Sequence, residues 1–470
     1  MPVIVLVADG ARADAFDGEL ADLPALRRLR DEGGFERITT VFPSVTGPAY
    51  APFLTGRFPG QAGIPGLRWF DRGRATCGWP DHSRSYVGYE MGRINSDLDP
   101  AVPTVFDLVP NSVAALSLIT RGLPRSRRIG ELTLRSAVRV ALTHFRGLPE
   151  RWLDLDREVG DAIVRRMRDE RPDYLFAAFT GVDKASHARG HDDALVRKAL
   201  VIVDDVVLRL REDAERGGWW DDTHLWVVSD HGHASVGRHE DLVKVVRAAG
   251  YRPMSHPFTA GVARDVAVMV SGNAMAHLYV DLESRRRPWW GALAARWEGL
   301  AESVLARPSC DLLLLPRSPH CCEVRSRDRG IATVSRDGTV YRYERTTGDP
   351  LAIGHDLEGT ADETYDRLRM SSYPDALVQI VALAGSARAG DLILSATPGW
   401  DFRARWEPIP HRSSHGSLHR DHMLVPLLSN RSFAGTPRRT TDLFSSTLDA
   451  VSSSSGPDSD GASFVQRSRS

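Results

Sequence analysis

Val3-Ile4-Val5-Leu6-Val7-Ala8-Asp9-Gly10 opens the chain with an apolar run that ends on a carboxylate and a glycine able to turn sharply. A run this short and this uniformly apolar reads as a strand buried on both faces, as in a parallel sheet. Runs of the same kind recur at 114–119, 174–180, 225–229 and 392–395, and helix-like stretches separate them. That alternation predicts an α/β fold built on a parallel sheet. Between the third and fourth runs, residues 192–216 carry Leu195, Ala199, Val203, Val206 and Leu210 at helical spacing and stop at Gly217-Gly218, as a crossover helix should. Asp204 and Asp205 within it read as solvated positions.

From about His256 to Gly354 the pattern changes. Residues 333–343 read as a hairpin around Asp337-Gly338, and 289–305 as a Trp-rich helix. The expected organisation is therefore a catalytic core over 1–255, an inserted α+β cap over 256–374 and a second part of the core over 375–451, ending in a strand at 423–428. Residues 452–470 are dominated by Ser, Gly, Asp and Arg and read as a disordered tail.

Composition narrows the function. Lys plus Arg number 60 against 61 Asp plus Glu, so no overall basic field favours nucleic acid or an anionic membrane surface as a stable partner. No apolar stretch reaches the roughly 18–20 residues of a membrane span, and the strand beginning at Val3 leaves no room for a leader, so the expected compartment is the cytoplasm. Cys77, Cys310, Cys321 and Cys322 are too irregularly spaced for a disulfide framework or a paired-CxxC zinc site and read as free thiols.

Four segments offer metal ligands, most of them at the end of an expected strand: Asp9-Gly10; Asp183-Lys184-Ala185-Ser186-His187; Ser229-Asp230-His231-Gly232-His233; and the stretch 411–422, with His415-Gly416 and His419. Carboxylate with imidazole suits zinc, or manganese and iron less strongly, in an open catalytic site. A nucleophile is offered by Phe42-Pro43-Ser44-Val45-Thr46-Gly47-Pro48, with two hydroxyls ahead of Leu54-Thr55-Gly56. His233, His419 and His422 read as supporting or exposed loop residues.

Taken in order, Asp9-Gly10, Phe42 to Thr46 with Thr55-Gly56 and Pro59, Asp183-x-x-x-His187, Ser229-Asp230-His231-Gly232 and His415-Gly416 resemble the nucleotide pyrophosphatase/phosphodiesterase branch of the alkaline phosphatase superfamily. The resemblance implies an alkaline-phosphatase-like, mostly parallel sheet sandwiched by helices. It implies two divalent ions, usually zinc: one held by Asp9, Asp230, His231 and the nucleophile Thr46, the other by Asp183, His187 and His415. It implies hydrolysis of phosphate esters, first of all diesters, through a phospho-threonine at Thr46, with Ser44 as the fallback nucleophile. A phosphomonoesterase or phosphonate hydrolase on the same scaffold is the alternative, and a non-catalytic metal-binding protein the remote one. Sulfatase chemistry is disfavoured, since Thr46 cannot become formylglycine.

The chain departs from the family just after the nucleophile. Gly47 and Ala49 stand where family members carry an aromatic residue and an Asn that helps bind phosphate. A replacement donor is then sought at Asn95, Tyr50 or Lys184, although Asn95 and Lys184 read better as ordinary polar loop residues.

Overall fold

A computed structural model of the protein describes residues 1–74, 83–130, 148–256, 264–403 and 410–453. The opening run is the strand Val3–Ala8, every residue of it buried. It pairs in parallel with Tyr174–Phe179 on one side and His224–Val228 on the other. The full sheet runs, in space, Phe35–Thr39, Leu424–Ser429, His224–Val228, Val3–Ala8, Tyr174–Phe179, Ser112–Ala115, Arg128–Ile129. The five strands from His224–Val228 onward are parallel, and Leu424–Ser429 is antiparallel to both its neighbours. The α/β reading holds.

Strand alternation explains why Val3–Ala8 carries no polar residue. Ile4, Leu6 and Ala8 share one core with Leu153, Val159 and Ile163 of helix Glu150–Glu170 and with Ala199, Val203 and Val206 of helix Ala194–Arg216. Val3, Val5 and Val7 face the opposite core, with Tyr50, Phe53 and Leu54. Each fully buried Val, Leu or Ile contributes about 1.5–3 kcal/mol, so the strand is pinned from both sides and its C-terminal end is a rigid platform.

Several expectations need correction. The run expected at 114–119 stops as a strand at Ala115, because Leu116 turns into the left-handed region with φ +49°. Asp204 is buried, not solvated: it accepts the Leu26 N–H at 2.8 Å, near the start of helix Pro24–Gly33. The run at 392–395 belongs to a different sheet. Strand Leu392–Ala396 lies between Met275–Tyr279 and Cys310–Ser318 in a nine-stranded, largely antiparallel sheet that also contains Gly330–Asp337 and Val340–Gly348, the expected hairpin. An apolar run of five residues fits either kind of buried sheet, so only tertiary packing assigns it. Helix Trp290–Leu305 forms as expected. Cys310, Cys321 and Cys322 are free thiols, whereas Cys77 and tail residues 454–470 lie outside the described residues.

The second sheet reaches the first one's working edge. Asn273 forms a bridge with His415, and the Ala274 N–H donates to the His415 carbonyl at 3.0 Å. A small sheet of Gly399–Phe402, Ala234–Glu240 and Ser413–Ser414 ties the chain after His233 to the chain before His415.

One buried carboxylate sets the helix that follows Tyr174–Phe179. Asp156 is fully buried and accepts the N–H groups of Thr180 at 3.0 Å and Gly181 at 2.7 Å, at the start of helix Gly181–Arg189. A carboxylate there satisfies orphan donors and faces the positive end of the helix dipole. Burial outweighs those bonds and pushes its pKa up to about 7. An acid raised on folding binds its extra proton in the folded state, so its contribution is complete below about pH 4 and decays as pH rises to about 7. Asp156→Asn is therefore expected to flatten this part of the stability–pH curve. It should also cost about 1–3 kcal/mol at low pH, where one helix N–H loses its acceptor. Urea titrations across pH measure both, and an unchanged slope contradicts the assignment.

Candidate active site

Three neighbouring parallel strands end together, and each delivers an acid. Asp9 follows Ala8, Asp230 stands two residues after Val228, and Asp183 stands in the first turn of the helix after Phe179. Such carboxyl ends are where α/β sheets bind ligands. The side chains form two groups whose ligand atoms lie within 4.8 Å of one another: Asp9, Asp230 and His231, and Asp183, His187, His233 and His415. Every residue expected to bind metal stands in or against one of these groups.

Thr46 adjoins the first. Its Oγ1 lies 3.1 Å from Asp9 Oδ1 and 3.0 Å from His231 Nε2. Ser44 points elsewhere, donating to the Ser417 carbonyl at 3.0 Å. Asp183 and His187 converge because residues four apart share a helix face; Asp183 Oδ1 lies 3.2 Å from His187 Nε2.

Hydrogen bonding on the far side of each ring fixes its tautomer. His187 Nδ1 meets the Ser413 carbonyl at 2.9 Å, His415 Nδ1 the Ser44 carbonyl at 2.9 Å, and His231 Nδ1 the Gly232 carbonyl at 3.1 Å. A carbonyl only accepts, so each Nδ1 carries the proton and each Nε2 presents a lone pair inward. There it meets other lone pairs. His187 Nε2 and His415 Nε2 are 3.2 Å apart, and Asp230 Oδ2 is buried with no hydrogen-bond partner, 3.6 Å from His231 Nε2. Convergent bare nitrogens and carboxylate oxygens are what a cation satisfies, so the donor set fits divalent metal.

Electrostatics agree. Burial, then the charges of Asp230 and Asp183, raise the Asp9 carboxyl well above its ordinary value, and burial likewise raises Asp230. Asp183 differs: burial opposes its ionisation, yet Lys184 and His187 hold it well below the usual range. Lys184 was expected to be a loop residue; it stands on the helix, with Nζ 2.7 Å from Asp183 Oδ2, which leaves Oδ1 facing the imidazoles.

Other expectations sort plainly. Asn95 is structural, bonded to the Gly92 and Leu118 carbonyls and the Thr120 N–H. Tyr50 is buried in the core, edge-on to Phe176. His419 caps the short helix Arg420–Met423, and buried His422 receives the Ser417 hydroxyl and N–H. His233, expected as a supporting or exposed residue, is not exposed: it is wholly buried inside the second group, 2.9 Å from Asp183 Oδ1. His411 lies tilted against His187 with ring centroids 4.2 Å apart, a contact that no spacing signals.

The model for type I phosphodiesterases and nucleotide pyrophosphatases matches residues 3–288. The chain belongs to that family. As a member of the phosphodiesterase/nucleotide pyrophosphatase family it is a hydrolase of phosphate ester bonds. No curated protein matches the chain. Among solved structures, phosphonoacetate hydrolase from Sinorhizobium meliloti 1021, in complex with phosphonoformate, is 15% identical with a TM-score of 0.57, over 96% of each chain. Murine ectonucleotide pyrophosphatase/phosphodiesterase 5 is 15% identical with a TM-score of 0.54, over 96% of this chain and 95% of that one. Its inactive variant in complex with AMP is 16% identical with the same TM-score and coverage. These likenesses establish the alkaline-phosphatase-like fold. No helix among the described residues is long and apolar enough to cross a membrane.

Gly10 in this phosphodiesterase-family chain is required twice over. Its φ is +77°, and a Cβ there would lie 2.8 Å from His233 Cδ2 and 3.2 Å from Asp183 Cα. Gly10→Ala is expected to cost about 1–3 kcal/mol in unfolding free energy. It should also weaken metal retention on dialysis, since the ring it displaces touches Asp183. A variant with wild-type stability and metal content contradicts this packing argument.

Proposed function

We propose that the chain is a two-metal phosphodiesterase acting through a phospho-threonine at Thr46, with Asp9, Asp230, His231 and Thr46 around one ion and Asp183, His187 and His415 around the other. The observation that carries this reading is the Thr46 hydroxyl lodged between Asp9 Oδ1 and His231 Nε2 while Ser44 is tied to the Ser417 carbonyl. The ions, zinc by preference with manganese or iron as alternatives, would neutralise phosphoryl charge and acidify the Thr46 hydroxyl. Asp9 and His231 hold Oγ1 in place for attack on phosphorus, which lowers the entropic cost of displacement. Lys184 adds a fixed positive charge near three buried carboxylates. The phosphorylated Thr46 is then hydrolysed, so one water is added across the ester bond overall.

Substrate preference follows from the wall beside the nucleophile. Gly47 has φ +94°, and a Cβ there would approach Leu118 at 3.1 Å and Ile94 at 3.7 Å. An aromatic side chain at 47 has no room, and apolar Leu67, Ile94 and Leu118 stand in its place. Ala49 is buried and offers no donor. These features support simple aryl diesters over nucleotide diesters, with recognition by the 256–374 insertion, whose sheet Leu392–Ala396 completes. The monoester or phosphonate alternative draws support from Lys184, whose charge suits a dianionic phosphoryl group.

Thr46→Ala is expected to lower kcat/KM for an aryl phosphodiester by ~10³-fold or more, as loss of a nucleophile does. Ser44→Ala should keep most turnover while losing about 1–3 kcal/mol of stability through the unpaired Ser417 carbonyl. The same assay on wild type should show aryl diester hydrolysed at least as efficiently as nucleoside diester. If Ser44→Ala were the dead variant, the nucleophile assignment would be wrong.

A further inference from the structure

We propose that His233 is a fourth protein donor to the cation bound by Asp183, His187 and His415, so that three imidazoles and one carboxylate surround that ion. This rests on the two-metal reading above. His233 Nδ1 lies 3.0 Å from Ser413 Oγ, whose own hydrogen is given to the Ala234 carbonyl at 2.9 Å. A hydroxyl has one hydrogen, so Ser413 Oγ accepts and His233 Nδ1–H donates. His233 Nε2 then points its lone pair at Asp183 Oδ1, 2.9 Å away. It shares this arrangement with His187 and His415, whose Nε2 atoms lie 3.2 and 3.5 Å from the same oxygen. A proton satisfies any one of these contacts. A single cation satisfies all of them.

The surroundings are built to hold that ring. The Arg12 guanidinium donates to the His233 carbonyl at 2.6 Å, and Gly10, without a side chain, lies against the ring's other edge. Ser413 serves two imidazoles at once, its carbonyl receiving His187 Nδ1–H and its hydroxyl receiving His233 Nδ1–H. His233 is fully buried, Asp183 and His415 nearly so.

The consequence is chemical. One carboxylate and three imidazoles fill a tetrahedral zinc shell, the arrangement of a closed site, whereas catalytic zinc keeps a position open. Substrate then reaches this ion only as a fifth or sixth ligand. The Asp9, Asp230 and His231 group has three such donors besides half-buried Thr46, whose hydroxyl is the reacting group, so its fourth position is the one that changes during turnover.

Cadmium-113 NMR of the cadmium-loaded protein with nitrogen-15-labelled histidine counts directly bound imidazoles. The expected result is one resonance coupled to three imidazole nitrogens and another coupled to one, with His233→Gln reducing the first to two. Ser413→Ala, which removes the hydroxyl but keeps the carbonyl used by His187, should weaken one of the two cadmium sites about 10- to 100-fold, as loss of a group supporting a ligand does. A first resonance coupled to two nitrogens in both wild type and His233→Gln overturns the inference and leaves the two-metal reading standing. No bound cadmium overturns both.

Discussion

Everything at this site depends on one constraint: three adjacent parallel strands discharge their carboxylates at a single buried edge. Asp9, Asp183 and Asp230 are each about 1% exposed or less. Buried acids in such proximity repel one another and lose hydration, which is unfavourable unless positive charge joins them. Lys184 supplies one such charge. The imidazoles add only lone pairs, since their protons are committed to carbonyls and to the Ser413 hydroxyl on the far side. The fold therefore holds a set of donors that cannot satisfy one another. That is costly to keep in an apolar interior, and the layers on both faces of the sheet keep it.

The remaining architecture serves this edge. Asp156 fixes the first turn of the helix bearing Asp183 and His187. The second sheet holds the His415 backbone through Asn273 and Ala274. The His422 carbonyl receives the Gly232 N–H, which sets the turn behind Asp230 and His231. A close backbone approach recurs at Gly232, where a Cβ would lie 2.1 Å from the Asp421 carbonyl oxygen. Positioning comes from elements far apart in sequence, which holds the donors in place without help from a bound cation.

Much of this was legible in the chain. Asp9 and Asp230 stand where apolar strands end, and Asp183 and His187 are four apart on a helix, so periodicity alone brings them near one edge. Other features were hidden for definite reasons. Extended alternation would put His231 and His233, two apart, on one face, yet the chain there belongs to no strand and the two rings enter different groups, His231 with Asp9 and Asp230 and His233 with Asp183, His187 and His415. Nothing local shows that Asp204 is buried, because its partner is Leu26, 178 positions away. Leu392–Ala396 is as apolar as a core strand and is one, though of the other sheet. Lys184 read as a polar loop residue because its ion pair exists only once Asp183 is fixed.

The central claim is that these converging donors are a pair of cation sites. Crystals of zinc-loaded protein, with anomalous diffraction collected on both sides of the zinc absorption edge, test it most directly. The account predicts two anomalous peaks: one among Asp183, His187 and His415, the other among Asp9, Asp230 and His231 beside the Thr46 hydroxyl. An absence of anomalous density at both positions, with the side chains undisturbed, would contradict it.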